Sequence, residues 1–512
     1  MQVMTLLSFS ILVPLFLGLF LLAKDVRGNT GKSLALFSSV FVLLCACAIA
    51  ARARETAEFA TSESFRWLPA IGLQFFLAAD GISSVFLLLT GVVFVMGIFA
   101  SSPTLDGRYF GFVLLLESGL IGTFTAQNFL HFFVFWEIAL LPAFFLVRIY
   151  GGAMRSAASI QFFIYTMFGS IAMLVGFLAL YLATGTFNFA EIAAARPAGG
   201  FGALLSLRLN GTGLGAQSAG MIIFLLAFLG VAVKVPLFPL HSWLPVTYTQ
   251  APTPVTMLLT GVMSKMGVYA LIRLILPIFP DEIQRLHQPL LALAVITILY
   301  GALAAFAQRD IKQMFAYSSL SHLGYCFLGI FAAAKAGAAG LENERAAAIN
   351  GVLLQVFSHG IIAAALFACV AFLERRGDGL RSYESFGGLR KINPVFAGLM
   401  GIALFSSLGL PGLSGFPAEF LIFKGAFSLA PVACGFAVLG LLFTALYLLT
   451  FYGRVFFGPL NAKRAAVTDL TSAEIAVLVP AIAITVLVGI APQLVLAICN
   501  PAVTALVQRL KF

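Results

Sequence analysis

The chain has 512 residues, of which 61% are hydrophobic and only 10% charged. A soluble domain carries about 25% charged residues because it must face water with a polar skin. Soluble, disulfide-scaffold and disordered classes are therefore excluded, and the chain reads as an integral membrane protein. Its net charge of +10, without a long basic run, fits orientation in a membrane rather than nucleic-acid binding.

A bilayer core of about 30 Å takes about 20 apolar residues in a helix. Backbone groups cannot stay unpaired in lipid, so apolar runs of that length must be helical. About fourteen transmembrane helices are expected, at 3–23, 34–51, 76–100, 109–127, 129–149, 158–184, 219–246, 253–275, 288–307, 312–333, 347–373, 393–430, 431–455 and 472–498. The fold class is all-α and polytopic, and the alternation of a barrel is absent. Residues 3–23 read as a retained first helix rather than a cleaved leader. Cys45, Cys47, Cys326, Cys369, Cys434 and Cys499 lie in apolar stretches and read as small fillers.

Lys and Arg are in excess in the loops that an outside N-terminus would place inside. Both termini are therefore expected on the outer side, with Arg375, Arg376, Arg381, Arg390 and Lys391 on the cytoplasmic face.

Two segments are too long for one straight span, and prolines interrupt both. Helix 7 holds KVPLFPLHSWLP, residues 234–245, and helix 12 holds LPGLSGFPAEF, residues 410–420. Proline removes a donor and clashes with the preceding turn, so each helix should break. The breaks lie five segments apart, an odd offset that reverses orientation. That pattern predicts two inverted five-helix repeats, helices 4–8 and helices 9–13, with broken helices 7 and 12. The expected divisions are 1–108 for helices 1–3, 109–276 and 288–455 for the repeats, and 456–512 for a cytoplasmic loop and helix 14. Glu137 to Lys234 and His322 to Glu419 each span 97 residues, which fits the repeat.

An ionisable group at the bilayer centre costs about 2.5–3.5 kcal/mol on insertion scales, so the few retained stand out. Glu137 sits mid-helix, Lys234 opens the first break and Lys265 lies within helix 8. Pairing across these helices would hold a lysine charged, and loss of the partner would favour proton release. His322 follows in helix 10, with Ser318 and Tyr325 on its face, and Glu419 follows the second break. Weaker candidates are His359 beside Gln355, Glu117 in helix 4, Lys424 toward the outer end of its helix, where it could snorkel, and His241 in the first break. Asp80 reads as interfacial. There is no P-loop, dinucleotide fingerprint, HExxH or cysteine cluster, so no nucleotide, flavin, iron–sulfur or metal site is expected here. GLSG and GTGLG read as turns.

FWE at 135–137, KVPLFPLHSWLP, APTPVTMLLTGVMSKMG at 251–267 and AYSSLSHLGY at 316–325 together resemble the antiporter-like membrane subunits of respiratory complex I, over nearly the whole chain. The resemblance implies that Glu137 and Lys234 form a coupling pair, Lys265 and His322 a central relay, and Glu419 the exit. It implies proton pumping coupled to electron transfer from NADH to quinone. This chain would hold no cofactor, and flavin, iron–sulfur clusters and quinone would lie in partner subunits. It further implies L- and N-type neighbours, a peripheral arm reached through them, and a bacterial inner membrane. Glu419, where the L and N types carry lysine, points to the M type, and no long lateral helix is expected after helix 14. The alternative is the D subunit of an Mrp-type Na⁺/H⁺ antiporter, which usually has lysine there, or a related hydrogenase membrane subunit.

Overall fold

The computed structural model describes residues 6–510 except 25, 27–28, 197–200, 202–215, 336 and 338–339. Residues 3–5 of the first expected helix and GTGLG at 211–215 lie outside the described residues. Apolar sequence becomes helix nearly throughout. The N-terminal group is α1 Leu6–Ala23, α2 Asn29–Ala53 and α3 Gly81–Ala100. It is followed by α4 Gly107–Thr125, α5 Phe129–Tyr150, α6 Arg155–Thr184, α7a Ala216–Lys234, α7b Trp243–Gln250 and α8a Thr253–Gly261. The second half holds α9 His287–Phe306, α10 Ile311–Ala333, α11 Glu342–Arg376, α12a Pro394–Ser407, α12b Gly415–Leu429 and α13 Pro431–Phe456. The chain ends in α14 Ser472–Ile490 and α15 Gln493–Arg509. Among the described residues, ten stretches are long and apolar enough to cross a membrane.

Three expectations change. The segment at 76–100 does not begin as a helix, because residues 76–79 belong to a strand. Strands β1 Thr61–Leu68 and β2 Leu73–Ala79 form an antiparallel hairpin, Thr61 opposite Ala79, which the all-α reading did not contain. Helix α3 starts after Asp80, whose carboxylate caps it by accepting from Ser83 N at 3.0 Å. The segment at 472–498 is two helices, parted at Pro492, which has no N–H to continue α14. Helix 8 is not one regular helix. After α8a come a 3₁₀ turn at Met263–Lys265, α8b Met266–Ala270, a π turn at Leu271–Ile275 and a last α-helical turn.

The two proline breaks are present, and backbone groups freed at each find partners. At the first, Trp243 Nε1 donates to Val233 O at 2.9 Å, and Phe238 N donates to Thr297 Oγ1 at 3.2 Å. At the second, Leu410 N reaches back to Phe405 O at 3.1 Å, and Gly415 N donates to Ser406 Oγ at 3.4 Å. The apolar stretches of helix 8 and α11 are buried along their length. Helix α11 packs on α3, α8a, α10, both halves of helix 12, α14 and α15. Polar groups within these apolar stretches of helix 8 and α11 therefore face protein, not lipid.

Candidate functional site

Three irregular helices surround the buried polar groups. In helix 8 the α geometry fails at Val262, with φ −126° and ψ −52°. This turns Lys265 inward, fully buried, and its ammonium donates to Thr260 O. The same ammonium lies 3.0 Å from His359 Nδ1 on α11. The His359 and His322 rings are 5.2 Å apart, centre to centre. His322 Nδ1 stands 3.3 Å from Glu419 Oε1, and Ser407 Oγ at the end of α12a is 3.2 Å from His322 Nε2. Glu419 fits because the chain turns tightly at Gly409, with φ +78°; a Cβ there would come within 2.7 Å of Glu419 Oε2. A small cavity between His322, Gln355, His359 and Glu419 has about 10 Å³, close to the least a water needs.

Lys265, His359, His322 and Glu419 therefore form a continuous contact chain from the irregularity of helix 8 to the break of helix 12. His359, a weak candidate from sequence, is its centre. Glu137 and Lys234 are not joined in the same way. Neither carboxylate oxygen of Glu137 nor Lys234 Nζ has a hydrogen-bond partner, so the direct pair expected from sequence is not formed. Lys234 instead stands 5.2 Å from the Trp136 ring centre, and the Trp136 indole donates to Ser170 Oγ at 3.1 Å.

The remaining candidates separate from the row. Glu117 is fully buried among the N-terminal helices, where it accepts from Ser39 Oγ at 2.7 Å. His241 lies in the first break, its ring 5.5 Å from Phe238 and 4.8 Å from Tyr300. Lys424 is exposed, because five residues along a helix turn it well away from the face of Glu419. Asp80, near a helix end, is buried in the protein. It is 5% exposed and paired with Arg273 at 2.6 Å.

Sequence reasoning did not single out Lys312. It is 2% exposed and donates to Ala251 O at 2.6 Å and Thr253 Oγ1 at 3.0 Å. Thr253 donates in turn to Glu374 Oε2 at 2.6 Å. Arg381 closes the cluster, 3.0 Å from Asp310 and 3.8 Å from Glu374. The signal was Asp310 two residues before Lys312, a helix cap whose acid also orients the neighbouring cation. Among the described residues no group of three or more His, Cys, Asp or Glu could hold a metal ion. The described cysteines form no disulfide, and all but Cys47 are buried.

A family model described as NADH:quinone oxidoreductase/Mrp antiporter, TM, matches residues 126–446. The chain belongs to the NADH:quinone oxidoreductase/Mrp antiporter family. The chain of this antiporter-family protein is 35% identical over 451 residues to NADH-quinone oxidoreductase subunit M of Rickettsia conorii, covering 87% of this chain and 86% of that one. Its fold matches a chain of respiratory complex I from Thermus thermophilus with bound NADH, with TM-score 0.86, 29% identity, and coverage of 98% and 99%. It also shares the fold of a chain of the Mrp complex from Dietzia sp., with TM-score 0.82 at 22% identity, covering 99% and 100%. In this antiporter-family protein the matched stretch holds the whole row from Glu137 to Glu419, whereas Glu117 precedes it.

Beside the row, Tyr269 donates to Phe124 O at 2.8 Å and lies 3.2 Å from Ser83 Oγ, while Arg273 in the π turn holds Asp80. This cluster pins the end of helix 8 that follows Lys265 to α3 and α4. Breaking a buried ion pair from one side typically costs about 3–5 kcal/mol. Asp80→Asn is therefore expected to lower the thermal stability of the assembled protein, read as loss of intact complex after heating. The exchange Asp80→Arg with Arg273→Asp should recover part of it.

Proposed function

We infer that this chain is the M-type, proton-translocating membrane subunit of an NADH-quinone oxidoreductase, a member of a multi-subunit complex that couples electron transfer from NADH to quinone to proton movement. The observation that carries the proton path is the contact chain Lys265–His359–His322–Glu419, buried between two helix irregularities. Flavin, iron–sulfur clusters and quinone would be held by partner subunits, so this chain contributes proton transfer rather than redox chemistry. A Na⁺/H⁺ antiporter subunit has less support, because the Mrp likeness is one of fold and the helix 12 position carries Glu419.

In the proposed sequence, a charge rearrangement in a neighbouring subunit changes the balance between Glu137 and Lys234. Lys234 releases a proton toward Lys265. The Lys265 ammonium passes a proton to His359 Nδ1, the His322 ring takes the next transfer, and Glu419 Oε1 accepts it at the break of helix 12. Reloading comes from the face that carries Lys312 and Glu374. We place the chain in a bacterial inner membrane with both termini outside, and with L- and N-type neighbours on its flanks. The hairpin leaves Phe65, Trp67 and Leu68 exposed, which supports a partner on that face.

The test is His359→Leu, which keeps volume and removes both ring nitrogens. Proton pumping in proteoliposomes, measured per electron delivered to quinone, is expected to fall by about tenfold or more while the complex assembles. Wild-type proton stoichiometry in that variant overturns the path.

A further inference from the structure

Away from the row, the N-termini of α2 and α14 meet the C-termini of α3 and α11 around an open cleft of about 390 Å³. Its wall carries two cations, Lys32 and Arg375, above Phe99, Pro103, Phe372 and Val477. Both cations are held in place by the end of α3. Lys32 Nζ donates to Phe99 O at 2.8 Å and Ser101 O at 2.7 Å, and Arg375 donates to Ala100 O at 3.1 Å. An ammonium has three protons and a guanidinium five, so each keeps donors free for a further acceptor. The Arg375 side chain is 50% exposed.

The acid in this wall does not cancel them. Glu474 is engaged by Arg376 through two bonds of 2.9 and 2.7 Å, and stands 3.8 Å from Arg375. The α14 N-terminus is closed as well, because Thr471 and Glu474 cap each other. What is left unmatched is positive charge, placed where four helices of the membrane bundle end, over an apolar wall. A soluble anion would use the charge and leave that wall bare; an amphiphile with an anionic head uses both.

We propose that this cleft is a binding site for an anionic phospholipid, with the lipid phosphate between Lys32 and Arg375 and an acyl chain against Phe99 and Val477. The site is independent of the proton row, and no residue of the row lines it. Its position also fixes what the lipid would do. It would tie α3, which carries Asp80 at its other end, to α11, which carries His359.

The experiment uses the purified complex with photoreactive phosphatidylglycerol and the matching phosphatidylcholine. Adducts are expected on residues 99–103 or 471–477, about fivefold or more stronger with the anionic lipid, and unchanged by added inorganic phosphate. Lys32→Gln with Arg375→Gln should reduce the labelling to the phosphatidylcholine level. Equal labelling by both lipids, labelling elsewhere only, or displacement by inorganic phosphate overturns the proposal. The two-lipid comparison on the unmodified complex stands even if the double variant fails to assemble.

Discussion

Lys265→Ala is expected to stop proton pumping and to slow coupled NADH–quinone turnover severely. The Lys265 ammonium is the group that connects helix 8 to His359, at 3.0 Å, and its other contact is a backbone carbonyl, Thr260 O. Without it, a proton leaving Lys234 must reach His359 through an apolar gap. An isolated charge there costs about 3 kcal/mol on insertion scales, roughly a hundredfold in rate. The alanine variant also leaves Thr260 O without its donor, so some loss of stability is expected alongside. Lys265→Arg separates the two effects. A guanidinium fills the site and keeps the charge but does not release a proton. Normal assembly with pumping lost is expected for Lys265→Arg, measured as protons per electron in proteoliposomes. Wild-type stoichiometry in the arginine variant would show that Lys265 is a fixed charge and not a carrier.

What could be read from sequence, and what could not, follows from the range of the signals. Proline breaks are local, so the interruptions at 234–245 and 410–420 were legible from the residues alone. The break of helix 8 at Val262 was not, because no proline marks it; Pro277 follows only the later π turn. It sits beside Gly261, where a Cβ would lie 2.7 Å from Val93 Cγ1 and 3.3 Å from Gly360 O, so close packing of α3 and α11 shapes it. The place of His359 beside Lys265 was hidden for the same reason: it is a contact with a residue 94 positions away. Lys424 is exposed, as a snorkelling side chain would be, since five residues along the helix turn it away from the face of Glu419. The hairpin at 61–79 was hidden because LQFFLAA is apolar enough to extend the next helix on paper. Asp80, which ends that strand and caps α3, was the local sign of a boundary there.

Glu137→Gln isolates charge from shape at the other end of the row. The two side chains have nearly the same volume, and neither oxygen of Glu137 has a hydrogen-bond partner to lose. The substitution therefore removes little besides the negative charge. Lys234 depends on that charge: it is 1% exposed, has no hydrogen bond, and has only the Trp136 ring face, 5.2 Å away, as a weaker electrostatic partner. The charge of Glu137 acts on Lys234 across space and not through a direct bond, so its loss leaves Lys234 without that counter-charge. Pumping is expected to be lost, with turnover reduced at least tenfold, while the complex assembles normally. Lys234→Met should reproduce the defect. If the two groups act as one element, as the proposed path requires, the double variant is expected to be no worse than either single one. Turnover rates that multiply in the double variant would mean that Glu137 and Lys234 act separately, and wild-type pumping by Glu137→Gln would remove the coupling role altogether.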